Sequence, residues 1–459
     1  MHAYQQRGYS LLSHLTGVQI WTQKTHARAF SWSSLTNVFS KGTDGKPRKR
    51  LVILGTGWGS YSVLQNVNRK LYDITVISPR NHFLFTPLLA STTVGTLEFR
   101  SIIDPVRNAG FRENDDFFLS YATKVDFAQK MVEMRSNDEA KTIARVSYDR
   151  LVIGVGALTN TFHVPGADQH AFFLKEIQDA RSIRNQILSN FESALQPGLT
   201  QDERERLLHF VIVGGGPTGV EFGAEVYDFV RTDVARLYPK DVKMTKVTLV
   251  EAQHILQSFD KNLQSYAEKK IKERSNFNLI QDSVIEVTKR SVRLKSGQVI
   301  PCGLVVWSTG LAPRDFTREM NAQKTKQGQL LVSKRLQLIS DPDPKGSVFS
   351  LGDCAYIPEG PLPCTAQVAE REGRYLAKLL NNDDIRHSEP FTFKSMGMLA
   401  YVGGYKAVTD MPEFKIHGVT SWVLWRSAYL TRLGSLRLRL QVPFDWFKTF
   451  FFGRDTSKL

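Results

Sequence analysis

The sequence predicts an α/β protein in which one βαβ unit occurs twice. In the first copy, the apolar run 51–54 leads directly into a glycine-rich loop at 55–60, then into a helical stretch and a second strand at 73–78. An uninterrupted apolar run of this kind is typical of a strand that is buried on both faces of a parallel sheet. We therefore expect this segment to open a parallel sheet with helices packed on it.

The same order of elements returns much later in the chain. His209–Val213 has the composition of a buried strand, 214–219 forms a second glycine-rich loop, and a helix is expected to begin at Val220. A further strand at 246–250 then ends at Glu251. The distance from this loop to Glu251 is long, so the helix or loop between them is predicted to be extended. We interpret the two copies as an internal duplication within one polypeptide.

Both loops have the glycine spacing and the strand-to-helix context of a dinucleotide-binding turn. Because glycine has no Cβ, the backbone can approach a pyrophosphate, and the helix N-terminus supplies free N–H groups and a positive dipole end. The alternative is two tight turns in a protein that binds no nucleotide. The repeated context favours two Rossmann-like dinucleotide-binding domains. The loop positions predicted to bind cofactor are Gly55, Gly57, Gly59 and Ser60, and Gly214, Gly216 and Gly219.

The strands that follow the two loops end differently. Glu251 stands where a carboxylate accepts both ribose hydroxyls and repels a 2′-phosphate, which favours NADH over NADPH. The first unit offers Ser78 and Arg80 in place of an acid, and Ser60 replaces its third glycine. Ser60 is small enough for close packing of the helix on the strand. We predict that Ser78 or nearby backbone groups hold the first ribose.

Two later segments indicate a disulfide-reductase-like flavoprotein. The strand 305–308 enters a small-residue turn at Thr309 and Gly310, and the strand 348–351 ends in Gly352 and Asp353. Asp353 could be an ordinary helix cap. Since it follows two dinucleotide loops in series, we interpret it instead as the carboxylate that binds the ribityl chain of FAD.

The basic charge of the chain lies at its two ends. The net charge is +15, of which residues 1–50 carry +7 and residues 420–459 carry +5. The body is nearly balanced, so no nucleic-acid partner is expected. No apolar run approaches the ~18 residues of a membrane span, which excludes a channel or pump. The three cysteines lack CxxC spacing, so neither a disulfide framework nor a metal site is predicted.

The first 48 residues are rich in Ser and Thr and contain no acid before Asp44. This composition is typical of an organellar transit peptide, which must respond to a negative-inside potential. A disordered basic tail is the alternative. We expect a transit peptide and an organellar location.

The sequence resembles the type II (alternative, rotenone-insensitive) NADH:quinone oxidoreductases of mitochondria and bacteria. The most specific segment is 77–89, continued by 94–96, and 451–455 near the C-terminus is also similar to that family. The resemblance extends from residue 50 to the end of the chain. It implies FAD-dependent transfer of two electrons from NADH to ubiquinone, without proton pumping, at the mitochondrial inner membrane in the respiratory chain.

The resemblance also implies roles for individual residues. The first-loop glycines and Asp353 would bind FAD, and the second-loop glycines and Glu251 would bind NADH. Glu221 matches a catalytic glutamate near the nicotinamide and flavin rings.

The same resemblance indicates a quinone site. Ala366 and Gln367 match the start of the family's AQxxxQ motif, with Gln367 in a catalytic role. The second glutamine is Arg371 in this chain, a departure that affects the hydrogen bonding expected on the quinone side.

The C-terminal region is basic and aromatic. Trp422, Trp425, Tyr429, Leu433, Leu436 and Leu440 recur at helical spacing and predict one apolar face. The face could pack on the body of the protein, pair two subunits as a homodimer, or lie on an anionic lipid surface. We predict that the face lies on the lipid surface, because ubiquinone is confined to the bilayer. A dimer interface beside the lipid-binding patch is compatible with this prediction.

The predicted domains follow from these assignments. They are 1–48 as the transit peptide, 49–205 and 314–390 as the two parts of an FAD-binding domain, 206–313 as an NADH-binding domain, and 391–459 as the membrane-anchoring and dimerisation region. Two rival functions remain open at this stage. One is another NAD(P)H- or sulfide-linked flavoprotein reductase, and the other is a redox-controlled flavoprotein scaffold.

Overall fold

The computed structural model describes residues 48–112, 115–239, 242–343, 345–383, 385 and 387–457. The predicted transit peptide lies outside the described residues except for Arg48. None of the helices in the described part of the chain combines the length and hydropathy needed to span a bilayer.

The elements alternate between strands and helices over most of the chain. The strands are β1 (Lys49–Leu54), β2 (Tyr72–Ser78), β3 (His82–Leu84), β4 (Ile103–Pro105), β5 (Asp116–Asp126), β6 (Met131–Ser136), β7 (Ile143–Ser147), β8 (Arg150–Ile153), β9 (Ala157–Thr159), β10 (Phe172–Phe173), β11 (His209–Val213), β12 (Lys246–Glu251), β13 (Phe277–Gln281), β14 (Val284–Val287), β15 (Ser291–Leu294), β16 (Val299–Pro301), β17 (Leu304–Trp307), β18 (Leu311–Pro313), β19 (Leu330–Leu331), β20 (Val348–Ser350), β21 (Ala355–Tyr356), β22 (Met398–Gly403), β23 (Lys406–Asp410) and β24 (Lys415–Gly418).

The helices carry most of the connections between these strands. They are α1 (Trp58–Asn66), α2 (Leu89–Thr92), α3 (Ala167–His170), α4 (Ile177–Ala194), α5 (Gln201–Leu207), α6 (Pro217–Phe229), α7 (Ala235–Leu237), α8 (Lys261–Lys272), α9 (Asp315–Glu319), α10 (Ala366–Asn382), α11 (Val419–Arg432) and α12 (Leu436–Phe452), with a π-helical segment (Val230–Val234) between α6 and α7.

Two sheets correspond to the two predicted units. The first has the strand order β20-β8-β1-β2-β5-β6-β7, parallel from β20 to β5 and antiparallel beyond. The second has the order β10-β17-β11-β12-β13 and is parallel throughout. Because β20 returns to the first sheet after the second sheet is complete, the topology supports an FAD-binding domain in two parts. The exact domain boundaries stay predictions.

The predicted strands around both loops are present, and both helices begin earlier than predicted. Helix α1 begins at Trp58, since Gly57 is its N-cap, so residues 58–60 are helical and the prediction of a loop there was wrong. Helix α6 begins at Pro217 instead of Val220, since Gly216 is its N-cap and proline is suited to the first helical position. Residues 217–219 are therefore helical, and the prediction of a loop there was wrong. The expected long connection to Glu251 is confirmed, because α6 continues through the π-helical segment into α7.

The C-terminal region forms an antiparallel sheet, β22-β23-β24, followed by two helices. The predicted single apolar face was wrong. Leu433 is fully buried, whereas Leu436 is 72% exposed. The cause is a break between the helices, where the Ser435 Oγ accepts a hydrogen bond from the Leu438 N–H (3.4 Å) and caps a new helix, α12.

The side chain of Arg426, which lies on α11, contacts an aromatic ring of each of the helices α11 and α12. The Arg426 guanidinium lies between the rings of Trp422 and Trp446, at 4.2 and 4.4 Å from their centroids. Two indole faces attract a partly desolvated cation strongly. This contact fixes the angle between the helix that packs on the body and the helix that follows it.

Candidate active site

The largest feature of the site is a cavity of about 710 Å³ between the first glycine-rich loop and the segments that return from the second sheet. Its volume is within the range of small-molecule and cofactor pockets. The lining includes many of the predicted cofactor-binding positions: Gly55, Gly57, Gly59, Ser78, Arg80, Gly310, Gly352, Asp353 and Ala366.

The first loop has the backbone that a phosphate requires. Gly55 has φ +92°, and a Cβ there would lie 2.5 Å from the carbonyl oxygen of Gly154. Gly57 is the N-cap of α1 and has no side-chain cap, so the first N–H groups of the helix are open to a ligand. These features fit the pyrophosphate of FAD.

Ser60 has a structural position beneath this loop. Its Oγ donates to the carbonyl oxygens of Leu54 (3.0 Å) and Gly154 (3.3 Å), which ties the ends of β1 and β8 together. It is fully buried and does not line the cavity. Its predicted role in binding cofactor therefore stays a prediction, through support of the loop.

Arg80 lies over the first loop, where an acid was missing from the sequence. Its Nε donates to the Thr56 Oγ1 (3.2 Å), which is 3.1 Å from the Ser78 Oγ, and its guanidinium forms an ion pair with Glu176. The Glu176 carboxylate also lies 3.8 Å from Arg314. The strand end therefore presents a paired cation and hydroxyl groups to the cavity.

Asp353 lies at the opposite wall of the cavity, beside a lysine that the sequence did not indicate. The Lys175 Nζ is 3.7 Å from the Asp353 carboxylate, and burial lowers the pKa of Lys175 although the aspartate opposes this. Gly352 has φ +70°, and its N–H donates to Glu372 (2.7 Å). Burial raises the pKa of Glu372 to about 7.

The second loop is arranged for a second nucleotide. Gly214 has φ +110°, and a Cβ on Gly219 would lie 1.9 Å from the Gly214 carbonyl oxygen, so helix and strand pack closely only with glycine. A Cβ on Gly216 would meet nothing within 4 Å, which leaves open space for a ligand. Thr309 packs on this loop, 2.7 Å from a Cβ built on Gly214.

Glu251 lies at the end of β12 beside this loop. Its Oε2 accepts a hydrogen bond from the Gly215 N–H (2.6 Å), and its Oε1 accepts one from the Gln253 N–H (3.1 Å). The carboxylate is thus held at the mouth of the loop by two backbone N–H groups. This is the position that a ribose diol requires.

Glu221 lies one turn after Thr218, which lines the cavity. It is 7% exposed, and its Oε1 accepts hydrogen bonds from the Tyr401 N–H (3.1 Å) and the Trp425 Nε1–H (3.2 Å). Burial, with a smaller contribution from the nearby Glu225, raises the pKa of Glu221 to about 8 against the two hydrogen bonds, which lower it. A carboxyl group with this pKa exchanges a proton near neutral pH.

The predicted quinone-site residues lie at the start of α10. Ala366 faces the cavity, whereas Gln367 and Arg371 both contact the segment 394–397. The Gln367 Oε1 accepts a hydrogen bond from the Met396 N–H (2.9 Å), and Arg371 donates to the Lys394 carbonyl oxygen. The structure thus places Gln367 and Arg371 on one helix and against one loop, with Ala366 beside them lining the cavity.

Several contacts of the site were missed by the sequence analysis. Trp425 was assigned only to an apolar surface, and Lys175, Glu372 and Tyr401 were not singled out. Each contacts a predicted residue that is distant in sequence, and no local pattern reports such a pairing. Glu372 was the one available signal, since it lies at helical spacing between the apolar Val368 and Leu376.

Comparison with known proteins agrees with the arrangement of the site. The family described as pyridine nucleotide-disulphide oxidoreductase matches residues 49–373, and the family described as NDH2 C-terminal domain matches residues 396–455. The two matches together cover both sheets and the C-terminal helices.

Individual relatives are similar over nearly their whole length. A probable NADH dehydrogenase from Dictyostelium discoideum is 44% identical over 414 residues, covering 89% of this chain and 91% of its own. A mitochondrial internal alternative NAD(P)H-ubiquinone oxidoreductase A1 from Solanum tuberosum is 40% identical over 448 residues, covering 91% and 89%. The structure of NDH2 from Plasmodium falciparum in complex with NADH superposes with a TM-score of 0.85 at 27% identity, covering 90% of this chain and 100% of that one.

Proposed function

This chain belongs to the type II NADH dehydrogenases, and from that premise we propose how its own residues carry out the reaction. It is an FAD-dependent NADH:ubiquinone oxidoreductase of the mitochondrial respiratory chain, peripheral to the inner membrane, that transfers two electrons without pumping protons. The observation that carries the residue assignments is the shared cavity: Thr218 and Gly310 of the second unit line the same space as Gly55 and Asp353 of the first.

The residues of the first unit would hold FAD. Gly55, Gly57 and the first turn of α1 bind its pyrophosphate through backbone N–H groups, and Asp353 binds its ribityl chain. When bound, FAD supplies the group that accepts hydride and passes on single or paired electrons. Arg80 and Ser78 bind the adenosine side, where the acid that usually ends the second strand of a dinucleotide-binding unit is absent.

The residues of the second unit would bind and orient NADH. Gly214, Gly216 and Gly219 bring its pyrophosphate to the N-terminus of α6, and Glu251 accepts its ribose hydroxyls. The first turn of α6 also reaches the cavity through Thr218, and Glu221 lies one turn after Thr218. Orientation of the two cofactors is the main contribution of the protein to the rate.

The quinone would bind beside α10, between Gln367, Arg371 and the segment 394–397. Because ubiquinone is confined to the bilayer, the enzyme must lie on the membrane surface. The outer face of α12 supports attachment to lipid, since most of its exposed side chains are apolar or aromatic: Leu436, Leu440, Phe444, Phe447, Phe450, Phe451 and Phe452. The other exposed side chains of this helix are the cations Arg437 and Arg439. A homodimer would instead bury the same face against a second subunit. Vesicle binding and oligomeric state distinguish these two arrangements.

The proposed function is tested on the purified full chain. We expect a visible FAD spectrum that is bleached anaerobically by NADH and recovers on addition of a soluble short-chain quinone. Folded protein that gains no flavin on reconstitution would contradict the proposal. Bleaching by sulfide without NADH turnover would select the sulfide-linked rival, and bleaching by NADH without quinone turnover would select the scaffold.

Replacing Glu251 by alanine should lower the efficiency with NADH far more than the efficiency with quinone. Loss of two ribose hydrogen bonds costs about 1–3 kcal/mol, or roughly 5- to 150-fold in kcat/KM for NADH. The preference for NADH over NADPH should narrow, because the charge that repels a 2′-phosphate is gone. Initial rates with both nucleotides measure this ratio.

Two further variants control for disruption of the loop. Glu251→Gln keeps an acceptor for the Gly215 N–H and should lose most of the nucleotide preference while retaining the fold. Glu273→Ala removes a surface acid that pairs with Lys270 and should change nothing. An unchanged ratio of NADH to NADPH efficiency in both Glu251 variants would exclude the ribose role.

A further inference from the structure

The buried acid Glu221 is held by an element that lies far from it in sequence. Trp425 belongs to α11, whose Val419 and Val423 are exposed on the outer surface. On the inner side of the same helix, the indole N–H of Trp425 donates to the Glu221 Oε1. Helix α11 therefore presents Val419 and Val423 to the outer surface and contacts the buried Glu221 through Trp425.

Both hydrogen bonds to Glu221 converge on one oxygen. The Tyr401 N–H and the Trp425 Nε1–H both donate to Oε1, and among the described residues none donates to Oε2. Both hydrogen bonds thus hold the carboxyl group through Oε1, and Oε2 accepts none from the described residues. Tyr401 is fixed in turn, since its hydroxyl donates to Asp228 (2.6 Å).

We propose that Trp425 is a positioning residue for quinone reduction, which holds Glu221 in orientation and sets the protonation behaviour of its carboxyl group. This inference rests on the proposed function, because ubiquinone takes up two electrons and two protons on reduction to ubiquinol. Because Glu221 lies one turn after Thr218, which lines the cavity, titration of its carboxyl group makes that step depend on pH. Helix α11 contributes to the chemistry of the site as well as to the outer surface.

The surroundings determine the direction of the effect. A donor that points at a carboxylate favours its charged form, so the Trp425 N–H lowers the pKa of Glu221, which burial has raised to about 8. Removing that donor leaves only the Tyr401 N–H to oppose burial and the like charge of Glu225, so the pKa rises further. The titratable and charged groups on the elements packed around Glu221 are Glu225, Asp228, Tyr401, Tyr429, Arg432 and Arg454.

The test compares Trp425→Phe with Trp422→Phe in the full-length holoenzyme. Trp422 lies one turn earlier on α11 and contacts Arg426 and Tyr405, with no hydrogen bond to Glu221. In Trp425→Phe the pH midpoint of short-chain quinone reduction should move upward by about one pH unit. The Trp422→Phe midpoint should equal that of the wild type, as should anaerobic flavin bleaching by NADH in both variants. Equal midpoints in all three proteins would overturn the inference.

A double-mutant cycle separates action through Glu221 from a general loss of packing. If Trp425 acts through the carboxyl group, Trp425→Phe should have no further effect on the pH profile in a Glu221→Gln background. An undiminished effect in that background would overturn the proposal. Failure of the wild type to reduce any quinone would instead contradict the proposed function.

A measurement without substitution at 425 covers the case in which Trp425→Phe does not fold. In protein labelled with ¹⁵N at the indole nitrogens, one Nε1–H resonance should titrate with the pH midpoint of quinone reduction. Glu221→Gln should abolish this titration and so identify the resonance. If no indole resonance titrates, or if titration persists in Glu221→Gln, Trp425 does not sense this carboxyl group.

Discussion

Replacing Arg454 by methionine should reduce the free energy of unfolding by roughly 3–5 kcal/mol, the usual cost of removing one partner from a buried ion pair. Arg454 lies three residues from the end of the described chain, where truncations are usually tolerated. Here it binds two buried carboxylates. Its guanidinium is 2.8 Å from Asp233 and 3.5 Å from Glu225.

The cost follows from what the substitution would leave behind. Glu225 also accepts hydrogen bonds from Ser91 (2.7 Å) and Thr96 (2.8 Å), so it cannot turn towards water. Asp233 lies in the π-helical segment and accepts the Arg454 backbone N–H as well (3.0 Å). Without the Arg454 cation, the two acids would remain in the interior without these ion pairs.

The measurement is denaturant unfolding followed by release of flavin fluorescence. The matched control is Arg318→Met, which breaks the exposed ion pair with Asp315 and should cost less than about 1 kcal/mol. A double variant in which Arg454→Met is combined with Glu225→Gln should regain part of the lost stability. Equal unfolding midpoints for Arg454→Met and Arg318→Met would exclude a stabilising role for the buried cluster.

The parts of the fold that were predicted correctly depend on local patterns. The strands at 51–54 and 209–213 are apolar throughout, and each is followed by glycines whose positive φ no other residue adopts easily. Strand, loop and helix are thus encoded within a few turns of chain. Asp353 also follows a short apolar strand that ends directly in Gly-Asp, and it lines the cavity, while its role towards FAD stays a prediction.

The parts that could not be predicted depend on pairing at a distance. Arg454 meets Glu225 across more than two hundred residues, and Trp425 meets Glu221 across a similar separation. The helical spacing of apolar residues at 422–440 was read as one face, because nothing local shows that Leu433 is buried by the body of the protein. A hydrophobic period identifies a face and leaves open which partner covers it.

Replacing Phe444, Phe447, Phe450 and Phe451 together by serine should detach the enzyme from membranes. All four lie on the outer face of α12. These side chains are 58–71% exposed, and the Phe447 and Phe451 rings lie 4.6 Å apart on one side of the helix. Burying a phenylalanine contributes ~1.5–3 kcal/mol. Losing four should weaken binding to vesicles by more than about 100-fold, even if each is only half buried in lipid.

Point substitutions test this face better than removal of the whole segment. The inner face of α12 carries Leu438, Val442 and Asp445, all buried, and the Asp445 carboxylate accepts the Glu98 N–H (3.0 Å). Deletion from residue 421 would also remove Trp425 from Glu221. The four substitutions leave these contacts in place, so bleaching of the flavin by NADH and reduction of a short-chain quinone should persist.

The control variant, Ile143→Ser with Val299→Ser, replaces exposed apolar side chains on strands outside the C-terminal region and should bind vesicles normally. High salt should weaken vesicle binding of the wild type only in part, since anionic lipid adds about 1 kcal/mol for each nearby cation and the aromatic contribution is independent of salt.

Sedimentation distinguishes lipid from a second subunit as the partner of the outer face of α12. Loss of vesicle binding and of long-chain ubiquinone reduction, at unchanged oligomeric state, identifies lipid as the partner. A change from dimer to monomer with vesicle binding intact would show that α12 joins two subunits, and the membrane attachment would have to lie elsewhere on the molecule.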